Sequence, residues 1–228
     1  APLTPIFHQL IASKINLKLP ICILNIGGIS NITIIKNLTE TRELFSKDIG
    51  PGNCLIDKWI RINSDQNFDM NGDIARSGKI DKFILEQTLD NFYYNQFNEK
   101  KSLDTNDFDI SFARGLSLED GATTLTDFTA RVIGAALFSL LSKVSNEAYK
   151  VLICGGGRKN KVLLEKIKKN TLQNIILQPI DDYGIDGDFV ESQAFAFLAI
   201  RSVLKLPISF PETTGCNKPT PGGVLVKY

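Results

Sequence analysis

The chain has 228 residues, enough for one large domain or two small ones, and its 43% hydrophobic and 22% charged residues are those of an ordinary globular protein. A formal net charge of +1 gives no general attraction to nucleic acid or to an anionic membrane, so partners must be sought in local sites. The four cysteines (Cys22, Cys54, Cys154, Cys216) are far apart, form no CxxC pair and have a single histidine, His8, to share a metal with; this predicts reduced thiols in a cytosolic protein and no zinc site.

The opening, Ala1-Pro2-Leu3-Thr4-Pro5, lacks an initiator Met and the charged start and apolar centre of a signal peptide. It runs straight into a helix-like segment, Ile6 to Ile11, and reads as the back part of something longer. Ile21-Cys22-Ile23-Leu24 and Ile32-Thr33-Ile34-Ile35 are continuous β-branched runs of buried-strand length, joined as a hairpin through Asn25-Ile26-Gly27-Gly28-Ile29-Ser30-Asn31. Gly27 and Gly28 permit positive φ and leave backbone N–H groups open to an anion, while Asn25, Ser30 and Asn31 add side-chain donors. The turn therefore suits a phosphate cradle as well as a plain β-turn.

A third short strand is expected at Arg42 to Phe45. A second glycine motif, Asp48-Ile49-Gly50-Pro51-Gly52-Asn53, leads from it into a helix with Asn53 placed as N-cap. Residues 67–78 read as a polar, glycine-bearing loop, and Ile80 to Phe92 as a helix. From Tyr93 to Arg114 the chain is polar and aperiodic, too long for a mere connector, and reads as an inserted, substrate-facing flap. Leu118 to Leu141 has the spacing of a long helix. Val151-Leu152-Ile153-Cys154 then forms a strand, Gly155-Gly156-Gly157 a turn, and Asn160 to Ile167 a helix whose N-terminus faces that turn. This unit is also a weak dinucleotide fingerprint, which would make the chain a nicotinamide-dependent oxidoreductase. Against that, Lys159-Asn160 stands where the helix-packing glycine belongs, and no acid-ended strand follows at the usual distance. A short strand at Ile175 to Gln178 precedes an apolar helix reaching Leu204, with Ala194, Ala196 and Ala199 available for close packing. No apolar run reaches the ~18 residues of a membrane span. An antiparallel meander feeding a crossover helix, followed by a second strand-glycine-helix unit, predicts an α/β fold: a ribonuclease-H-like half-domain of the actin, Hsp70 and sugar-kinase superfamily, with a mixed sheet flanked by helices.

In order, the motifs NIGGISN, DIGPGN, DMNGDIA, ICGGGRKN and GDFVESQAFAFLAIR resemble those of the anhydro-N-acetylmuramic acid kinase family along nearly the whole chain. The resemblance implies ATP with Mg²⁺ as cofactors, a small amino sugar as substrate, a cytoplasmic location, and a homodimer for the full-length family. It implies residues 1–20 as a remnant of a preceding domain or connecting helix, residues 21–228 as the C-terminal ATPase domain, and a possible separate N-terminal half. In the implied reaction water opens the 1,6-anhydro ring while O6 is phosphorylated. The residues it assigns to ATP and phosphate are Asn25, Gly27, Gly28, Ser30, Asn31, Asp48, Gly50, Gly52, Asn53, Gly155, Gly156, Gly157 and Asn160. Asp48 would hold Mg²⁺ through water, Asn53 serving equally as a helix cap, and Asn160 would touch ribose or base. Glu191 would contact the sugar, or stand as a first-turn surface acid favoured by the helix dipole. Lys101 and Ser102 match a family Pro-Lys-Ser stretch loosely, and His8 reads as a packed or capping histidine.

Two departures accompany the match. The family's first phosphate loop and catalytic aspartate lie before the segment matching Ala1, so no residue here is assigned the catalytic role. Ile49 also stands where the family usually has Thr. A non-catalytic nucleotide-binding module is the other reading these departures leave open.

Overall fold

Isoleucine-rich runs build the centre of the molecule. The computed structural model describes residues 3–15, 17–98, 102–142 and 149–226, with the side chains of 94–98 excepted. Strands β1 (Ile21–Ile26), β2 (Ile29–Ile35) and β3 (Leu44–Pro51) form an antiparallel meander, and β4 (Tyr149–Cys154) and β5 (Ile175–Pro179) extend it in parallel, in the order β3-β2-β1-β4-β5. Both faces are covered, which is why the strands read as continuous apolar runs. The order and directions are those expected of a ribonuclease-H-like half-domain.

One face packs on the long helix α5 (Leu118–Leu141) and on α6 (Lys161–Lys169). The other carries α1 (Pro5–Lys14) and, further along the chain, α7 (Val190–Val203). Phe7, Ile11, Ala12 and Ile15 share a buried cluster with Ile21, Ile23, Ile35, Leu44, Leu152 and Ala194. Buried Gln9 also ties α1 to the β2–β3 connection through the carbonyls of Asn37 and Glu40. Helix α1 thus packs as a layer of this core.

The third strand is longer than expected. Arg42 sits in a 3₁₀ turn (Thr41–Glu43), whereas Asp48 to Pro51 belong to the strand itself. Ile49 is buried in the cluster between the sheet and α5, and Pro51 pairs with Ile29, so burial and pairing carry the strand through the glycine motif. Helix α2 (Cys54–Asn63) follows, packing Trp59 and Ile60 beneath α5. The expected loop at 67–78 contains a 3₁₀ turn (Met70–Gly72) and the short helix α3 (Asp73–Ser77), whose first amides are taken by the carboxylate of Asp69. Helix α4 runs from Lys82 to Asn98, past its expected end at Phe92, and Phe92 itself stacks on Phe108 and meets Phe128 edge-on. Lys101 lies outside the described residues. Residues 102–114 hold two 3₁₀ turns, Thr105–Asp107 and Ser111–Ala113, the first closed by a capping box between Asp104 and Asp107.

Helix α5 (Leu118–Leu141) has Ser117 as N-cap, its side chain accepting from the Asp120 amide. Among the described residues it is the helix long and apolar enough to cross a membrane, but 67% of that window is buried inside the fold. Helix α6 (Lys161–Lys169) packs along it; buried Asp127 of α5 accepts from Lys166 Nζ at 2.8 Å and from Arg131 Nε at 3.0 Å. Helix α7 (Val190–Val203) buries Ala194 and Leu198, whereas Ala196 and Ala199 are exposed and pack nothing closely. A short helix α8 (Pro211–Thr214) and an extended tail, bridged at Ser209–Thr220, end the described chain.

Candidate functional site

The parallel register of β1 and β4 pairs Asn25 with Cys154, so the turns that follow these strands emerge side by side. A Cβ on Gly155 would stand 2.4 Å from Asn25 Oδ1, and one on Gly157 would stand 2.2 Å from Ile26 Cγ2; Gly155 also has φ +81°, which favours glycine. Gly156 faces Asn53, whose Nδ2 lies 3.7 Å from its ideal Cβ. The third turn joins from the other side. A Cβ on Gly52 would meet Gly27 O at 2.2 Å, so only glycine lets these two backbones touch. The three glycine turns thus meet at one end of the sheet.

Their amides divide into two classes. Those of Gly52, Asn53 and Cys54 are spent on the carbonyls of Gly28 and Gly27, at 2.8, 2.7 and 3.2 Å, so the second motif buttresses the hairpin turn and offers no N–H there to an anion. Among the described residues, no backbone carbonyl takes the amides of Gly27, Gly28, Gly156 or Gly157. Donors left in this way at glycines, with little side chain around them, are the kind that a phosphate-binding turn offers.

Three details differ from expectation. Gly27 and Gly28 do not adopt positive φ; a Cβ at Gly28 instead comes within 3.2 Å of Thr105 Cγ2. Ser30 is fully buried and its hydroxyl donates to Pro51 O, so it fastens β2 to β3 and does not face a ligand. Asn53 sits at the N-cap position of α2 but makes no cap bond, its Nδ2 pointing to Ile26 O at 3.4 Å. Gly50, inside β3, lies against Val132 of α5. Asn160 is the N-cap of α6, its Oδ1 accepting from Leu163 N at 3.0 Å, and is buried against Gly72 of the turn before α3.

Beside the turns the sheet presents a polar row. Asn25 of β1 pairs with Asn31 of β2, and Asn31 with Asp48 of β3, so the three side chains stand abreast on the α1/α7 face. They line a cavity of about 310 Å³ together with Thr4, His8, Leu103 and Glu191, within the size range of small-molecule sites. Asn31 Oδ1 is buried there without a partner among the described residues, the kind of group a ligand donor satisfies. The segment expected as a flap borders this cavity: Leu103 N donates to Asp48 Oδ2 at 3.2 Å, and Thr105 stands against Gly28.

Arg158, which the sequence reading passed over, sets the position of Glu191. Its side chain is 6% exposed and forks onto Asp181 at 2.8 and 3.0 Å, onto Asp188 at 2.7 Å, and back onto Gly155 O at 3.1 Å. The guanidinium holds the Asp181 and Asp188 carboxyls below their usual range, Asp188 to about 2 with help from Lys159. This clamp joins the Gly155–Gly157 turn to the loop that opens α7, and Glu191 in the first turn of α7 lines the cavity together with Asp48. A basic residue four positions after a strand and an Asp-Gly-Asp ending two positions before an apolar helix were the signals available; nothing in sequence said that they meet.

The residues fit a nucleotide's phosphates, which the open amides and glycine walls would accept. Among the described residues there is no cluster of three His, Cys, Asp or Glu to cage a cation; a Mg²⁺ would be held by Asp48 with phosphate and water, as this hard ion prefers.

The profile of the anhydro-N-acetylmuramic acid kinase family matches residues 1–227. The chain belongs to that family. Curated anhydro-N-acetylmuramic acid kinases similar to it include that of Pelagibacter ubique, 49% identical over 227 residues, covering 100% of this chain and 60% of the relative. Those of Brucella canis (38% over 230 residues, 100% and 60%) and Zymomonas mobilis (38% over 223 residues, 98% and 58%) follow. The chain thus spans about 60% of the length of these kinases. Solved structures similar to it include the activator of 2-hydroxyisocaproyl-CoA dehydratase from Clostridium difficile (TM-score 0.47, 15% identity, 86% of this chain and 68% of that one). Another is (R)-2-hydroxyglutaryl-CoA dehydratase component A from Acidaminococcus fermentans (0.41, 14%, 84% and 69%).

Proposed function

We propose that the chain carries the nucleotide-phosphate site and part of the amino-sugar site of an ATP-dependent kinase acting on 1,6-anhydro-N-acetylmuramic acid. The observation that carries this reading is the meeting of three glycine turns, with four amides open to an anion, beside a polar cavity bounded by Asn25, Asn31, Asp48 and Glu191. In the overall reaction the C1–O6 bond of the sugar breaks, a water oxygen bonds to C1 and gives up a proton, and O6 takes the phosphoryl group, leaving N-acetylmuramic acid 6-phosphate and ADP. Mg-ATP, when bound, supplies the phosphoryl group and the metal's charge. The chain's own contribution is positioning and electrostatics, which dominate phosphoryl transfer. The amides of Gly27 and Gly28 would hold phosphate, the Gly155–Gly157 turn would lie against the rest of the nucleotide, and Asp48 would hold the metal through water. Glu191 accepts from a sugar hydroxyl or amide. The base for the attacking water we place outside these residues, in sequence the relatives carry beyond the part matched here. We further place the protein in the cytoplasm as a homodimer, without nucleic-acid or membrane partners.

Titration calorimetry of the chain with Mg-ATP tests the phosphate site, and coupled ADP release with the anhydro sugar tests turnover. We expect ATP binding without turnover by these 228 residues. Absence of ATP binding by folded chain sinks the reading, and turnover by the chain alone overturns the placement of the base.

A further inference from the structure

His8 is 1% exposed, yet it is among the residues lining the same cavity as Asn25, Asn31, Asp48 and Glu191. The sheet explains how. One pair of residues below the polar row, β1, β2 and β3 present Ile23, Thr33 and Ser46 on the same face, and His8 reaches down from α1 so that its Nδ1 lies 2.8 Å from Thr33 Oγ1. Ser46 Oγ donates to Ile32 O at 3.0 Å and therefore has only lone pairs for Thr33, 3.4 Å away. With the Thr33 proton assigned to Ser46, Thr33 Oγ1 accepts from the histidine. This relay assigns the proton of the neutral ring to Nδ1, making Nε2 its acceptor. Burial depresses the ring's pKa to about 4, so the imidazole stays neutral at neutral pH and serves poorly as a proton-abstracting base.

We infer that His8 is a sugar-binding residue, its Nε2 accepting a hydrogen bond from a hydroxyl or amide N–H of the amino sugar in the cavity. The inference rests on the sugar reading of that cavity. It adds an uncharged acceptor, fixed in direction by Thr33 and Ser46, to the carboxylates of Asp48 and Glu191. A fixed neutral acceptor discriminates by geometry: an analogue lacking the matching donor leaves a buried lone pair unsatisfied.

His8 is the single histidine of the chain, so ¹⁵N-histidine labelling reads this ring alone. The expected spectrum shows a protonated Nδ1 and an unprotonated Nε2, with the Nε2 resonance moving upfield on addition of 1,6-anhydro-N-acetylmuramic acid and staying in place with ATP alone. Backbone amides of Asn25, Asn31 and Glu191 report whether the sugar enters. If they move while Nε2 stays, or if the proton is found on Nε2, the inference is overturned and the sugar site stands. If none of them moves, the sugar site fails and the inference with it. Two variants give an independent readout. His8→Asn keeps a donor near Nδ1 and removes the acceptor, whereas His8→Gln places an amide near Nε2 and gives up the Thr33 bond. We expect Asn to weaken sugar binding about three- to tenfold, the range of a neutral hydrogen bond, with Gln less affected and ATP affinity unchanged in both. A purely structural histidine predicts the reverse order, Asn like wild type and Gln impaired.

Discussion

At His8, burial decides a titration as well as a contact. The folded-state pKa of about 4 lies below the ordinary 6.5, so the unfolded chain takes up a proton that the folded chain refuses. Stability from this group is complete above pH 6.5, falls as the pH drops from 6.5 towards 4, and loses nothing further below that. The full loss is about 3 kcal/mol. Urea midpoints compared between wild type and His8→Asn should diverge over that window, and parallel curves would refute the assignment. Glu191 belongs to the same scale. Glu191→Gln keeps the shape and removes the charge, so melting should shift little, while sugar affinity falls roughly ten- to a hundredfold and ATP affinity holds. A loss confined to ATP returns Glu191 to the role of a surface acid at a helix start.

Turns and helices carry the next predictions. Gly28 and Gly52 neighbour each other but differ in what a methyl would meet: a rotatable threonine methyl at 3.2 Å against a backbone carbonyl at 2.2 Å. Gly28→Ala should therefore fold with less than about 1 kcal/mol lost and weaker nucleotide binding, whereas Gly52→Ala should cost about 1–3 kcal/mol by forcing the two turns apart. Thermal melts paired with calorimetry separate the two, and equal stability loss would contradict the packing. Arg158 is the tie between the third glycine turn and α7. Replacing it with Met leaves Asp181 without its guanidinium and Asp188 with Lys159 alone; their half-exposed carboxylates temper the cost to about 2–4 kcal/mol, between that of a surface pair and that of a buried one. Arg158→Lys should recover only part of this, because a single ammonium cannot fork onto two carboxylates. Denaturant unfolding measures both, and full rescue by Lys would count against the bidentate clamp.

Across the whole molecule, α1 is the piece whose status matters most. Phe7, Ile11, Ala12 and Ile15 fill the same cluster as four strands of the sheet, and His8 and Gln9 tie α1 to β2 and to the β2–β3 connection. Deleting residues 1–15 should abolish cooperative unfolding, since several large apolar side chains at ~1.5–3 kcal/mol each exceed the margin of a typical domain. A truncated chain that melts sharply near the wild-type temperature would favour the boundary expected at residue 20.

Continuous β-branched runs, glycine pairs at strand ends and the 3.6-residue spacing of α5 were legible because each is a local pattern with one structural solution, and together they gave the five strands, their order of appearance and the turns. The ordered motifs also pointed to the family. What sequence left open depends on contacts between distant residues. Phe92 of α4 packs on Phe108 and Phe128. The commitment of Ser30 to Pro51, and of the Gly52 and Asn53 amides to the hairpin turn, follows from strand register. The Arg158 clamp joins residues separated by 23 and 30 positions. The same is true of His8: its residue type and place on a helix suggested packing, and only the strand register beneath it brings Thr33 to its Nδ1. Local sequence determined which backbone each segment adopts, because φ/ψ preference and burial period are properties of neighbours; tertiary structure decided which donors and acceptors remain for a ligand, because that depends on what every other segment has already taken.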